Sequence, residues 1–451
     1  MIAKAKTRWL IACVGVIAAA CVVIAATATL ANLPAFDEPL IPELQALKVV
    51  RPPVPEQNAY PIALGFLAAN DVDPRVVGEA MLKALHERYE AGQRMTIPAQ
   101  DMRALLGTAS QHEELRSQFK SLECNARVYL DCANRLIAEV AEARLDGRLA
   151  VLFARFETLS RQQRFDEGQE RDAYTPVAPY DPILDVARIR LAQRFGMDSS
   201  VDFIAQAAND LRFWRLMLRD GDTLVAKMIA IAGLQNTLDF LSALLRDRAL
   251  TAAEVQSIRE LVSPLTREEA DIGEAFLAEA RSSVLTDTPP LAMGASRLDR
   301  WLLQRNATLN GIYSDILLPM RFRAALSPSE FYREGGYQPL NPARRAFPPS
   351  LFNWGGARLY RNSGWDPQQF IARTHDENGR ILLVLLQAEL EQASGVAVDA
   401  VLEASSYRNP YTGKPMEYDV RSRTIGFQCL HTAFHPPASP DRCVVAIGKQ
   451  P

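Results

Sequence analysis

The sequence predicts a mainly α-helical protein with one N-terminal transmembrane helix and a multi-helix body. An irregular segment rich in aromatic residues, proline and glycine, and a small turn-rich C-terminal tail, complete the predicted fold. Three observations support this class: an uncharged run near the N-terminus, helical spacing of apolar residues over 62–325, and almost no strand-like alternation there. The 451 residues are 48% hydrophobic and 23% charged, which is typical of a folded chain and excludes global disorder.

Residues 1–33 are predicted to form a short cytoplasmic stub and a transmembrane anchor. Lys4, Lys6 and Arg8 precede an uncharged run over residues 9–31. A spanning helix needs roughly 20 apolar residues, and basic residues mark its cytoplasmic end. We therefore expect residues 9–31 to cross a membrane once, with the N-terminus in the cytoplasm and the body outside.

Two other interpretations of this run remain open. Ala26-Thr27-Ala28 resembles a signal-peptidase site, so a cleaved signal peptide is one alternative. The run is longer than the roughly 7–15 apolar residues of a signal-peptide core, which favours an uncleaved signal anchor. Cys13 and Cys21 lie in sequences that weakly resemble lipoprotein sites, but apolar residues follow both, which disfavours a lipid anchor.

A proline-rich segment follows the anchor. Residues 34–61 contain seven prolines. Because proline blocks helices and stiffens an extended chain, this composition predicts a semi-rigid tether that holds the body off the membrane.

The body over residues 62–325 is predicted to be a set of antiparallel helices joined by short polar breaks. Thr251 and Thr266 each begin a capping box, and Ser199 precedes a further helical run. Asp181, which is followed by proline, predicts a capped helix start. These signals place several helix boundaries before any tertiary contact is known.

A second long apolar stretch, over residues 224–245, is predicted to be the central helix of the body. Lys227, Asp239 and other polar residues interrupt it. Charged groups at the centre of a bilayer cost several kcal/mol on insertion scales. Burial among other helices is therefore favoured over a second membrane span.

The C-terminal part divides into two predicted regions. Residues 326–405 combine an irregular segment with a helix that returns at Arg380–Ala393 and packs on the body. Residues 406–451 form a turn-rich, disulfide-closed tail with β-prone runs at Thr424–Phe427 and Val444–Ile447.

Four cysteines of the body occur as two local pairs, which predicts two disulfides and an oxidising compartment. The first pair is Cys124 and Cys132. Eight residues of continuous helix would separate their Cα atoms by about 12 Å, whereas a disulfide needs about 4.4–6.8 Å. A bond therefore requires the chain to turn and the next helix to begin near Cys132. Two buried free cysteines on one long helix remain the alternative.

The second pair is Cys429 and Cys443, for which two interpretations compete. Together with His431 and His435 these cysteines offer four zinc-capable ligands. In an oxidising compartment a disulfide that closes the tail is favoured, and it is worth roughly 3 kcal/mol in the loop-entropy model. We therefore expect no metal and no cofactor.

A candidate binding surface combines aromatic residues with arginines. Such side chains bind glycans, peptides or anionic groups, but they can equally fix a loop onto a helical body. The residues of this candidate surface are Trp354, Arg358, Arg361, Trp365, Arg373 and His375.

Other chemistry is weakly supported or excluded. His86 and His112 are each followed by glutamate, as in a zinc-protease helix, but neither has a second histidine four residues later, so both are expected to be solvated. The chain has neither a phosphate-binding loop nor a nucleophile elbow. The net charge of −3 and the pI near 6.1 argue against a general nucleic-acid binder.

Five motifs occur in order along the chain: Asn58-Ala-Tyr-Pro-Ile-Ala-Leu-Gly-Phe66, Cys124 with Cys132, Arg305-Asn-Ala-Thr-Leu-Asn310, Phe370-Ile-Ala-Arg-Thr-His-Asp-Glu-Asn-Gly379 and Asn409-Pro-Tyr-Thr-Gly-Lys-Pro415. This order resembles an uncharacterised family of proteobacterial envelope proteins with one N-terminal transmembrane segment and a helical periplasmic domain. The resemblance covers most of the chain. It implies a place in the bacterial envelope, and it carries over no catalytic residues.

The expected protein is a single-pass protein of the bacterial inner membrane with a periplasmic body and a binding or scaffolding role. Its expected partners are the inner membrane, through residues 9–31, and an envelope protein or glycan, with no nucleic acid. The alternative is an envelope hydrolase of the cell-wall type that uses carboxylates in a helical cleft. That alternative predicts a concave pocket with at least two acids of strongly perturbed pKa.

Overall fold

The computed structural model describes residues 2–32, 36–98, 101, 116–124, 131–143, 147–286, 302–335, 353, 355–356, 367–393, 395–430 and 442–448, without the side chains of 2–13, 28, 31 and 442. The described residues are mainly helical with few strands, as the sequence predicts. The chain forms two compact units. The first comprises Met1–Val49, Ala280–Pro319 and Pro339–Asp366, and the second comprises Val50–Glu279, Met320–Gln338 and Pro367–Pro451.

The α-helices are α1 (Ile2–Ala31), α2 (Pro42–Ala46), α3 (Tyr60–Leu64), α4 (Pro74–Glu90), α5 (Cys132–Glu142), α6 (Gly147–Ser160), α7 (Tyr180–Met197), α8 (Ser200–Asp220), α9 (Leu224–Asp247), α10 (Ala252–Leu261), α11 (Arg267–Ala270), α12 (Gly273–Leu285), α13 (Arg305–Ile312), α14 (Leu318–Ala324), α15 (Pro328–Arg333), α16 (Gln368–Gln392) and α17 (Val398–Ala404). A 3₁₀ turn spans Lys120–Glu123, and a π-helical turn spans Tyr313–Leu317. The strands are β1 (Glu417–Asp419), β2 (Thr424–Gln428) and β3 (Arg442–Ala446).

The core of the second unit is built around α9. This helix is long and apolar enough to cross a membrane, but 78% of its most apolar 18-residue window is buried within the protein. Helices α7, α8 and α16 pack against it. The ammonium group of Lys227 donates to the carbonyl oxygens of Leu218 and Arg219, where the last carbonyls of α8 lack helical partners. The stretch is therefore a central core helix, as predicted.

Local signals set most of the helix boundaries. Ser199, Thr251 and Thr266 cap α8, α10 and α11, and both threonines form complete capping boxes. Asp181 does not cap α7, because the helix begins at Tyr180 and Pro179 occupies the cap position. The Asp181 carboxylate lies instead in the first turn, where negative charge is favourable to the helix dipole.

The returning helix, α16, differs most from its prediction. It begins at Gln368, twelve positions before the predicted start at Arg380, and α15 lies within the segment predicted to be irregular. The first half of α16 carries buried polar residues, such as Thr374 and Asp376, which obscure the apolar pattern of a helix. Ser327 begins α15 with a capping box.

The tail forms a three-stranded antiparallel sheet in the order β1-β2-β3. Its two longer strands coincide with the predicted β-prone runs. Ile425 and Phe427 of β2 lie in a hydrophobic cluster that includes Leu383 and Leu386 of α16. The amide of Gln387 donates to a carbonyl oxygen of α9 and to one of β3, at 2.9 Å each, and so links the tail to the core.

The proline-rich segment differs from the predicted tether. In the first unit, the Asp37 carboxylate accepts hydrogen bonds from the amide groups of Asn306 and Ala307 in the first turn of α13, at 2.7 and 3.0 Å. Farther along α13, the Asn310 side chain binds the Ile41 amide at 3.1 Å. Residues 51–58 belong to the second unit and are hydrogen-bonded to its body. Polar groups between the prolines, such as the Asp37 carboxylate, fix the segment to the protein by hydrogen bonds. The proline content alone does not predict these contacts.

Candidate functional site

The predicted binding surface is only partly within the described residues. Trp354, Arg358, Arg361 and Trp365 lie outside them. Arg373 and His375 lie on α16, not in an irregular loop. The His375 side chain is buried, and burial lowers its pKa to about 4. Its ring lies 5.2 Å from that of Phe331.

The cysteines of the body pair as predicted. Cys124 and Cys132 are bonded with a Cα separation of 5.6 Å, and α5 begins at Cys132, which meets the geometric condition that the sequence imposes. Cys429 and Cys443 are bonded with a Cα separation of 5.5 Å. The zinc alternative for this second pair also needed His431 and His435, which lie outside the described residues.

A groove on the second unit has the clearest features of a binding site. Its cavity volume is about 290 Å³, close to the lower limit for ligand pockets. One wall is the extended segment 52–55, and the other is a face of α4. The lining residues are Pro52, Pro53, Val54, Pro55, Asn58, Pro61, Glu79, Leu82, Lys83, His86 and Glu170. We call this surface the proline groove.

The proline wall is held rigid by Asp166, which is buried. The Asp166 carboxylate accepts hydrogen bonds from the Arg51 guanidinium at 2.7 Å and from the amides of Val54 and Gly168 at 2.9 Å each. Burial alone would raise the pKa of Asp166, but these hydrogen bonds outweigh it and hold the pKa below its usual range. The carboxylate therefore stays charged and fixes the wall from behind.

Asn58 completes this support. Its side-chain amide donates to the carbonyl oxygens of Val54 and Asp166 at 2.9 and 2.8 Å. Its side-chain oxygen accepts from the backbone amides of Tyr60 and Asp166, at 3.0 Å each. Asn58 has no exposed surface and uses both its donors and its acceptor, so the wall is ordered without any ligand.

Behind the groove lies a buried polar network. The Glu167 carboxylate accepts from the Tyr180 hydroxyl at 3.2 Å and from the Thr223 amide and hydroxyl at 3.0 and 2.9 Å. Arg171 lies 3.5 Å from the same carboxylate and donates to the Tyr60 hydroxyl. A cavity of about 20 Å³ beside this network has room for about one water molecule.

The rim of the proline groove carries charged groups. The His86 Nδ1 atom lies 2.8 Å from the Glu170 carboxylate, whose hydrogen bond raises the pKa of His86. Lys83 and Glu79, one and two turns before His86 on α4, are exposed. The sequence predicted a solvated His86. Its ring is half-exposed and is paired with the Glu170 carboxylate. An apolar floor with a charged rim is suited to binding.

The groove offers little for covalent catalysis. Among the described residues that line it, none is a serine, threonine or cysteine that the His86–Glu170 pair could activate. Burial raises the pKa of Asp210 to about 6 and raises the pKa of Glu279. Neither of these two acids lines the proline groove.

A second groove, of about 280 Å³, lies between α8 and α10. Arg212, Arg215 and Arg219 share one face of α8 along it. Glu269 holds Arg215 by two hydrogen bonds of 2.8 and 2.6 Å, and Asp220 holds Arg219 by two of 2.6 and 3.1 Å. Most of its positive charge is therefore neutralised within the protein.

No protein-family model, curated protein or solved structure matches this chain. Sequence reasoning missed the proline groove, because the acid that fixes its proline wall, Asp166, lies 112 positions from Val54. The sequence offered one signal for this site, the Asn58-Ala-Tyr-Pro motif. In the structure the Tyr60 amide donates to the Asn58 side-chain oxygen behind the groove.

Proposed function

We propose that this protein is a membrane-anchored binding protein of the bacterial envelope, and that its proline groove binds a segment of a partner protein. The observation that carries the proposal is a groove of about 290 Å³ with an ordered, mainly apolar wall and a charged rim. The body is periplasmic, and α1 holds it at the inner membrane. This role agrees with the family resemblance.

The chemistry of the groove favours a peptide over a glycan. Sugar rings usually pack against Trp, Tyr or Phe side chains, and none of the described residues that line the proline groove is of these types. Prolines and Leu82 instead offer apolar contacts for side chains, and the exposed Glu79 and Lys83 offer charge pairing at the rim. A wall fixed by Asp166 and Asn58 loses little conformational entropy on binding.

The anchoring role is supported by α1. It is a 30-residue helix, and its described apolar side chains are largely exposed, for example Val16 at 70% and Val22 at 68%. Water would disfavour such a surface, whereas lipid chains would cover it. Lys4, Lys6 and Arg8 at its start favour a cytoplasmic N-terminus.

Site-specific photocrosslinking tests the groove. We replace Lys83 by p-benzoylphenylalanine in cells and irradiate intact membranes. We expect one reproducible protein adduct, which Leu82→Glu abolishes because it places a charge in the apolar floor. Val76→Glu is the matched control, since Val76 is 60% exposed on the same helix and does not line the groove. An adduct that survives Leu82→Glu, or that both variants remove equally, contradicts the proposal.

Membrane attachment has a separate test. We expect the full-length chain to stay in the membrane fraction after alkaline carbonate extraction and to keep its first residues on N-terminal sequencing. A mature chain that begins after Ala28 would indicate a cleaved signal peptide.

A further inference from the structure

The Cys429–Cys443 disulfide has a third potential metal ligand beside it. One carboxylate oxygen of Asp376 and the two sulfur atoms all lie within 4.8 Å of one another, and all three residues are buried. Asp376 is on α16, Cys443 is on β3, and Cys429 directly follows β2. Three elements of the second unit therefore converge on this point.

The Asp376 carboxylate is held in place by hydrogen bonds. The Tyr411 hydroxyl donates to its Oδ1 atom at 2.6 Å, and the Leu430 amide donates to the same atom at 2.9 Å. Metal-binding carboxylates typically have such outer partners, which fix the orientation of the ligand.

We infer that reduction of the Cys429–Cys443 bond creates a zinc site formed by both thiolates and the Asp376 carboxylate. A dithiol reductant supplies two electrons and two protons, the S–S bond breaks, and the reductant becomes a disulfide. One Zn²⁺ then displaces the two thiol protons and forms two Zn–S bonds. Water occupies the fourth position. The site does not depend on the proposed binding function.

The geometry and ligand chemistry suit zinc. Zn–S bonds of about 2.3 Å place two tetrahedral thiolates about 3.8 Å apart, a separation that two reduced cysteines with Cα atoms 5.5 Å apart reach by side-chain rotation. The 4.8 Å spread of the ligand atoms has to shrink by only about 1 Å. Two thiolates with one carboxylate select zinc over magnesium or calcium. The ion would join β2 to β3 in the reduced chain, as the disulfide does in the oxidised chain.

Alkylation protection in the full chain tests this site with an internal control. The protein is reduced with a dithiol, freed of reductant without oxygen, and treated with iodoacetamide with or without Zn²⁺. Mass spectrometry then follows each cysteine. We expect Zn²⁺ to slow modification of Cys429 and Cys443 at least tenfold and to leave Cys124 and Cys132 unchanged. Equal rates with and without Zn²⁺ at Cys429 and Cys443 would overturn the inference.

Asp376→Asn tests the third ligand. The neutral amide keeps the size of the side chain but binds zinc poorly, so we expect the Zn²⁺ concentration for half-protection to rise about tenfold or more. Co²⁺ gives a second readout, because thiolate ligation produces a charge-transfer absorption that is lost in Cys429→Ser. Tryptophan fluorescence checks that each variant is folded. Unchanged zinc protection in folded Asp376→Asn would remove the carboxylate from the site and refute the inference.

Discussion

Replacement of Asn58 by alanine tests whether the proline groove is built in advance. The change removes four buried hydrogen bonds, of 2.8 to 3.0 Å, to the backbone of Val54, Tyr60 and Asp166. Each such bond contributes about 1 kcal/mol net, and unpaired buried groups add to the cost. We therefore expect Asn58→Ala to lower the free energy of unfolding by about 4 kcal/mol.

Urea unfolding of the full chain in detergent measures this loss through the fluorescence of Trp214, which is buried in the same unit. Asn209→Ala is the matched control, because Asn209 is exposed on α8, and we expect a change within about 0.5 kcal/mol. We also expect Asn58→Ala to weaken the photocrosslink from Lys83. A loss below about 1 kcal/mol for Asn58→Ala would refute the account of the wall.

Three further predictions concern packing and pH. Gly233→Ala places its Cβ 2.1 Å from a ring carbon of Trp214, so we expect a loss of about 2–3 kcal/mol in urea unfolding. NMR titration should place the pKa of His86 above about 6.5, and Glu170→Gln should return it toward that value. Because the pKa is raised in the folded state, the stability that this pair contributes is present below about pH 6.5 and is lost as the pH rises through the folded-state pKa. Burial lowers the pKa of His375 to about 4, so the unfolded chain binds the extra proton, whereas the raised pKa of Asp210 acts in the opposite direction over the same pH range. The histidine effect is therefore the difference in free energy of unfolding between the wild-type chain and His375→Leu, and we expect that difference to fall by about 3 kcal/mol between about pH 6.5 and 4 in urea unfolding.

Matched variants sharpen these tests. Gly196→Ala is the control for Gly233→Ala, because nothing lies within 4 Å of its added Cβ on α7, and we expect it to stabilise by up to about 1 kcal/mol. Equal effects of the two glycine changes would contradict the packing argument. Glu87→Gln removes a charge beside His86 without removing its hydrogen bond, so its effect on the pKa should be smaller than that of Glu170→Gln. If the wild-type chain and His375→Leu lose the same stability between pH 6.5 and 4, the burial of His375 is wrong.

The parts of the fold that sequence reasoning predicted correctly rest on neighbouring residues. The capping boxes at Thr251 and Thr266 each need only four consecutive residues. The requirement that a helix begin near Cys132 follows from bond geometry alone and is met. Short-range rules of this kind work because both partners are close in the chain.

The predictions that differ from the structure share another cause. The polar first half of α16 was predicted to be irregular, yet Asp376 is buried in a helix and accepts hydrogen bonds from Tyr411 and Leu430, 35 and 54 positions away. The proline-rich segment was predicted to be a tether, yet the Asp37 carboxylate accepts hydrogen bonds from the first turn of α13, about 270 positions away. A polar residue gives no sign in the sequence of whether water or a distant backbone group will satisfy it.

Sequence alone determined the mainly helical class, the uncharged N-terminal run, the central apolar helix and the two cysteine pairs. These follow from periodicity, charge and local chain geometry. Only the tertiary structure decided that Asn58 and Asp166, 108 positions apart, meet behind the proline groove. It likewise decided that Asp376 lies beside the Cys429–Cys443 bond. Binding sites of this kind depend on which buried polar groups the folded chain pairs, and that pairing is set by the packing of the whole unit.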